Sequence, residues 1–219
     1  MSTVYDCNNE ASRAAGLNAA RGALKAGRLV VVPTDTVYGI AADAFDSDAV
    51  TALLRAKGRG RDMPVPVLVA PGDHRRSRRL CASRGAGVDP RVLPGGLSLV
   101  VHQAPSLAWD LGDTRGTVML RMPLHPVILE LLREVGPLAV SSANVSGRPP
   151  ATNVTEAREQ LGASASVYLD GGPAEHGVAS TIVDLTGDRP RILREGAVTA
   201  EALAEVLGDD PERLRSGGE

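Results

Sequence analysis

The residues able to do chemistry in this chain stand where apolar runs stop. Thr34 and Thr36 follow Leu29–Val32 in the stretch Arg28-Leu-Val-Val-Val-Pro-Thr-Asp-Thr-Val-Tyr-Gly39. Lys57 and Arg59 follow Val50, Leu53 and Leu54; Thr117 and Arg121 bracket Val118–Leu120; Ser142 and Asn144 follow Pro137–Val140; Ser180 and Arg194 flank the last apolar segments. Cations offset the charge of a polyphosphate while hydroxyls and amides fix its orientation, so this mixture suits an anionic substrate. There is no dedicated acid–base dyad, and the chemistry expected is positioning and electrostatic stabilisation of phosphoryl or nucleotidyl transfer. Phosphate-loop and dinucleotide glycine signatures, a His/Cys metal cluster and a nucleophile elbow are all missing from the sequence.

The elements that must carry these groups read as alternating strands and helices. A helix is expected from about Ser12 to Ala26, with Gly27 to stop it, and the preceding residues read as a short leader. A second helix, capped from Asp46-Ser-Asp48, sets Val50, Leu53, Leu54 and Lys57 at i, i+3, i+4 and i+7, which puts a lysine on an apolar face. Either that lysine snorkels at the helix end or the end overhangs a polar cavity. Pro64–Ala70 reads as a strand whose prolines favour an edge or a strand start. Further strands are expected at Leu97–Val101, Thr117–Arg121, Pro137–Val140, Val167–Leu169, Ala179–Leu185 and Arg191–Gly196. Helices are expected from Pro126 to Gly136, from Thr155 (as cap) to Leu161, and from Thr199 to Leu207, with a polar tail beyond.

Composition bounds the fold. The 219 residues can bury a sizeable core, and with 43% hydrophobic but 2% aromatic residues that core must be aliphatic. Few aromatics argue against a base-stacking platform. The formal charge of −2 leaves any anion site local. Cys7 and Cys81 have no metal or disulfide spacing, and no apolar run is long enough for a signal or a membrane span, so a cytoplasmic protein without membrane association is expected. No linker divides the chain convincingly. One domain over 1–219 is expected, with its core at about 12–207 and a tail at 208–219.

Residues 73–93 break the pattern. Six arginines between Arg75 and Arg91 are interleaved with Gly, Ser, Ala and Pro, and apolar periodicity is lost. The segment reads as a basic phosphate-touching loop, as a solvated insertion, or as the product of a compensated frameshift in a GC-rich gene.

Taken in order, Pro33-Thr-Asp-Thr-Val-Tyr-Gly39, Lys57-Gly-Arg59, Arg121-Met-Pro123, Ser142-Ala-Asn-Val-Ser-Gly147, Ser180-Thr-Ile-Val-Asp184 and Arg194-Glu-Gly196 resemble the YrdC-like family over residues 20–207. Within it they are most similar to the bacterial threonylcarbamoyl-AMP synthases of actinobacterial type. The resemblance implies an α/β fold, a twisted mixed β-sheet flanked by helices, with a basic concave cavity. It implies that L-threonine, bicarbonate and ATP, with Mg2+ accompanying the ATP, yield threonylcarbamoyl-AMP and pyrophosphate. That product would pass to a tRNA threonylcarbamoyltransferase complex that modifies adenosine 37. It assigns Thr36, Arg121 and Ser180 to threonine, and Lys57, Arg59, Thr117, Ser142, Asn144 and Arg194 to ATP. Lys57 and Arg59 would carry the catalytic charge, Lys57 on the carbamate or on a phosphate, and no protein-held metal is implied. Leu68 and Pro150 depart from relatives that place a histidine and a serine there. In the family, 73–93 is usually an amphipathic helix.

Three other readings stand beside this one. A carbamoyl-adenylating module with another donor would not need threonine. An RNA-binding module would bind without ATP and weaken steeply with salt. A decayed protein is the third, if 73–93 is scrambled.

Overall fold

The computed structural model describes residues 2–70 and 94–216. The readings made for 73–93, and Cys81 with them, lie outside the described residues.

Ten described strands form one mixed sheet: β1 (Thr3–Asp6), β2 (Leu29–Val32), β3 (Gly39–Asp43), β4 (Val67–Leu68), β5 (Leu97–His102), β6 (Thr117–Arg121), β7 (Leu138–Ser142), β8 (Ala165–Asp170), β9 (Thr181–Asp184) and β10 (Arg191–Arg194). Their spatial order is β1-β8-β2-β3-β7-β4-β6-β5-β9-β10. Strand β2 is the four-residue run Leu-Val-Val-Val, buried throughout, as expected of a strand covered on both faces. Period-2 alternation divides its side chains between two cores. Val30 and Val32 join Ala41, Leu138 and Val140 beneath helices α1 (Glu10–Lys25) and α3 (Pro126–Val135). Leu29 and Val31 join Ile40, Ala42 and Ala139 beneath α2 (Ser47–Ala56) and α4 (Val154–Leu161). That second core continues into α5 (Ala200–Leu207) and α6 (Pro211–Ser216). The α/β class, with a mixed sheet between helices, is as expected.

Four expectations need correction. Thr3–Asp6 is an edge strand paired parallel to β8 rather than part of a leader. The 64–70 stretch gives only two strand residues, and they lie inside the sheet between β7 and β6. Its prolines precede the strand, where a missing N–H is tolerated; the Pro66 carbonyl still accepts from Val140 N at 2.8 Å. Asn153, not Thr155, caps α4: its side chain accepts from Glu156 N at 3.0 Å and donates to Glu156 Oε1 at 2.8 Å, a reciprocal cap. The tail is no loose appendage, because Leu214 of α6 is completely buried.

Pairing explains how scattered polar segments meet. Val32 opposite Gly39 makes 33–38 a tight connection, and Gly39 opposite Ser142 brings the exit of β7 beside it. Farther along the sheet, Ser98 faces Arg121, Leu97 faces Thr181, and Ile182 faces Arg194. These three registers gather Ser98, Arg121, Ser180 and Arg194 at neighbouring strand ends.

Candidate active site

Helix α2 delivers the first cation. Asp46 caps its start by accepting from Asp48 N and Ala49 N, each at 3.0 Å, and Lys57 is its C-cap. Gly58, at φ 64°, turns the chain out of the helix. Lys57 does not snorkel: it is 0% exposed. Its Nζ donates to the Ser142 carbonyl, to the Asn144 carbonyl at 2.8 Å and to Asn144 Oδ1 at 3.0 Å. Asn144 in turn donates Nδ2 to the carbonyls of Val145 (3.0 Å) and Arg148 (2.6 Å), and Ser146 N donates to the Lys57 carbonyl at 3.0 Å. Lysine and asparagine together therefore shape the 142–148 loop. Burial, and secondly the neighbouring Arg59, lower the Lys57 ammonium from 10.5 to about 7. Arg59 continues the cationic edge, donating Nε to Ser146 Oγ at 2.8 Å and Nη1 to Ser141 Oγ at 3.4 Å.

The β2–β3 connection supplies the opposite wall. Thr34 Oγ1 donates to the Val37 carbonyl at 2.6 Å, lies 3.1 Å from Thr36 Oγ1 and accepts from Thr36 N at 3.2 Å. This turn chemistry presents Thr36 and Asp35 to Arg121. Arg121 donates Nη1 to Thr36 Oγ1 at 2.7 Å, Nη2 to Asp35 Oδ1 at 2.8 Å and Nε to the Gly95 carbonyl at 3.0 Å. Of five guanidinium N–H groups, three are held by the described residues, and among these residues the other two have no acceptor.

Ser180 stands 2.9 Å from Ser98, hydroxyl to hydroxyl. Arg194 donates Nε and Nη2 to the Ser180 carbonyl at 3.2 and 2.6 Å. Thr181 makes this arm rigid: its Oγ1 accepts from Gly196 N at 2.9 Å and from Val198 N at 3.0 Å and donates to the Val198 carbonyl.

The four cations share one electrostatic space. Burial lowers Arg59, Arg194 and Arg121 from the usual arginine range. The repulsion of Arg59 adds to the effect on Arg194, and the repulsion of Arg194 adds to that on Arg121; Asp35 pulls Arg121 the other way. Such a surface attracts an extended anion and holds it without reorganising. Among the described residues, no group of three or more His, Cys, Asp or Glu side chains could hold a metal ion.

Of the residues expected from sequence, the structure ties Lys57, Ser142 and Asn144 into one network and joins Thr36 to Arg121 and Ser180 to Arg194. It places Arg59 against the 141–146 loop. No hydrogen bond among the described residues joins Thr117 to the rest. It shares the Arg121 face of β6 by alternation, but at the other end of the strand, roughly 13 Å away at ~3.3 Å per residue, with its hydroxyl on the Thr114 carbonyl at 2.8 Å. Leu68 is buried in the core beneath α1 and α3 and offers the site no polar group. Sequence reasoning passed over Asp35, Ser98, Ser146 and Thr181. Asp35 lay inside the Thr34–Thr36 segment and was legible as a carboxylate between two hydroxyls. Ser146 and Thr181 likewise lie inside the 142–147 and 180–184 motifs, and Ser98 alone has no signal beyond being small and polar.

Residues 22–196 match the family described as "Telomere recombination", Sua5/YciO/YrdC. The chain belongs to the Sua5/YciO/YrdC family. A protein of Mycobacterium tuberculosis is 60% identical to it over 217 residues, covering 98% of this chain and 99% of that one. The threonylcarbamoyl-AMP synthase of Bacillus subtilis is 38% identical over 189 residues, 84% of this chain and 54% of that one. The crystal structure of Pyrococcus abyssi Sua5 complexed with L-threonine superposes with a TM-score of 0.85 at 31% identity, over 95% of this chain and 61% of that chain. This member of the Sua5/YciO/YrdC family therefore spans about half to three fifths of the length of those two relatives. No helix of its described residues is long and apolar enough to cross a membrane.

Proposed function

We propose that the protein is an L-threonylcarbamoyladenylate synthase, a nucleotidyltransferase acting on L-threonine, bicarbonate and ATP. The observation that carries this reading is the Arg121 fork. Among the described residues two of its N–H groups are left for a substrate carboxylate, and it lies across the sheet from Ser98, whose hydroxyl meets that of Ser180, with Arg194 acting on it electrostatically. The threonine-bound Sua5 structure and the names of the relatives support the same substrate.

The reaction balances in two steps. Threonine's amine attacks the carbon of bicarbonate; an N–C bond forms, a C–O bond breaks, and water leaves a carbamate. A carbamate oxygen then attacks the α-phosphorus of ATP, and pyrophosphate leaves with the bridging oxygen. Arg121, Thr36 and Ser180 hold threonine in this reading. Lys57, Arg59, Thr117, Ser142, Asn144 and Arg194 face the nucleotide. Lys57 acts from behind the 142–148 loop: its N–H groups are engaged by Ser142 and Asn144, so it shapes the loop and, in its charged form, stabilises phosphate by its field. Thr117, at the far end of β6, suits the nucleoside end of an elongated ligand. Mg2+ would accompany ATP, since phosphate oxygens and water are the ligands that ion prefers. The product would serve a tRNA threonylcarbamoyltransferase complex in the cytoplasm.

Pyrophosphate release by the purified protein, with ATP, Mg2+ and bicarbonate, tests the proposal. Release that requires L-threonine is expected. Release without threonine, or only with another carbamoyl donor, would replace this reading.

A further inference from the structure

The carboxylate of Asp35 is half used. Oδ1 accepts from Arg121 Nη2 at 2.8 Å and from Leu124 N at 2.9 Å. Oδ2 is buried and has no hydrogen-bond partner, and it alone among the described residues is in that position. A buried acceptor left unpaired costs about 1–3 kcal/mol, more when charged, so such an atom in a site asks for a donor. Asp35 is 1% exposed; Arg121, against which it lies, still keeps 8% of its surface. Oδ2 shares its carboxyl carbon with the oxygen that Arg121 holds, so a ligand engaged by the Arg121 fork arrives beside it.

An α-amino acid carries its carboxylate and its amine on one carbon. Its natural complement is a cation and an anion side by side, each with hydrogen-bonding capacity to spare. Arg121 and Asp35 are such a pair, in contact at 2.8 Å, with, among the described residues, two N–H groups left on one and an orphan oxygen on the other. We infer that Asp35 Oδ2 receives the amino group of the substrate while Arg121 takes its carboxylate, so the Arg121–Asp35 pair selects α-amino acids. The inference rests on the synthase reading above. Once the amine has become a carbamate, nitrogen keeps one N–H, and the same contact can hold the nucleophile in place for attack on ATP.

The test compares two ligands and two proteins. L-threonine and its deamino analogue, (R)-3-hydroxybutyrate, share carboxylate and hydroxyl and differ at the amine. Calorimetry should show the wild type preferring threonine by about 10- to 100-fold, the range of a charge-assisted hydrogen bond, and Asp35→Asn should lose most of that preference. Equal weakening of both ligands by Asp35→Asn would mean that Asp35 only orients Arg121, and would overturn the inference. A wild type that binds the two ligands alike would overturn it too. Should Asp35→Asn fail to fold, Asp35→Glu keeps a carboxylate for Arg121 but displaces its second oxygen. A reduced preference is again expected, and an unchanged one overturns the inference. Failure of the parent reading looks different: the wild type would release no pyrophosphate with threonine and bind neither ligand.

Discussion

Lys57 is fully buried and the charge that acts on it, Arg59, is another cation, so its protonation should be readable in stability. Burial lowers its ammonium from 10.5 to about 7, while the Ser142 and Asn144 oxygens favour the charged form in part. Between these values the unfolded chain holds a proton that the folded chain has released. Stability therefore rises with pH across that window and is lowest below pH 7. The expected result is a melting temperature that climbs from pH 6.5 to 9.5 more steeply in the wild type than in Lys57→Met, whatever the variant's absolute loss. Parallel pH profiles would show that Lys57 keeps its proton throughout. A second residue-scale prediction concerns Thr181, whose hydroxyl satisfies Gly196 N, Val198 N and the Val198 carbonyl at once. Thr181→Val keeps the shape and strands these groups, at about 1–3 kcal/mol for each one left unpaired in the interior. Because the 194–198 turn is thereby loosened, KM for ATP should rise more than KM for threonine in steady-state assays.

At the scale of elements, the site is assembled by strand register, and register was the part least visible in the sequence. The apolar runs and their polar ends were legible, because strands and helix caps have local signatures: Asp46, Pro126, Gly136 and Thr199 all mark real boundaries. That Ser98 would face Arg121, or that Arg194 would bind the carbonyl of Ser180, depends on pairings between residues 23 and 14 positions apart, and no local pattern encodes these. Lys57 shows the same limit. Its place on an apolar face was evident, yet only the β7 exit loop, folded back onto the α2 terminus, makes that place a polar one. Close backbone approach is similarly hidden. A Cβ on Gly196 would meet the Ala179 carbonyl oxygen at 2.1 Å, a collision with main chain that a rotamer change cannot relieve. Gly196→Ala should therefore displace the Arg194 arm, lowering kcat/KM for ATP by at least tenfold while circular dichroism still reports a folded sheet. Unchanged kinetics would mean that this turn yields without moving Arg194.

The whole molecule carries a formal charge of −2 yet concentrates cations around one site, and its far edge is what keeps Arg194 there. Among the described residues strand β10 is the last in the sheet, paired on one side only, with β9. Helices α5 and α6 close over it: Leu214 is completely buried in the core that holds Ile192 of β10 and Leu203 of α5. Around this contact Arg215 pairs with Glu195, Glu201 and Glu212 at 3.2, 2.7 and 2.7 Å. These ion pairs are largely open to solvent, where screening and side-chain entropy cancel most of the attraction, whereas Leu214 is an aliphatic side chain removed from water. The two kinds of contact can be told apart. Leu214→Ala should destabilise by about 2–5 kcal/mol, a fall in melting temperature of about 5–15 °C for a chain of this size, and Arg215→Ala should shift it far less. If α6 also supports the nucleotide end of the site through β10, Leu214→Ala should weaken ATP binding at a temperature where the protein is still folded. Threonine binding, which depends on Arg121 and the 33–38 turn, should be nearly unaffected. Equal loss of both ligands would indicate that the sheet gives way as a unit, and that the tail helix secures the fold rather than one arm of the site.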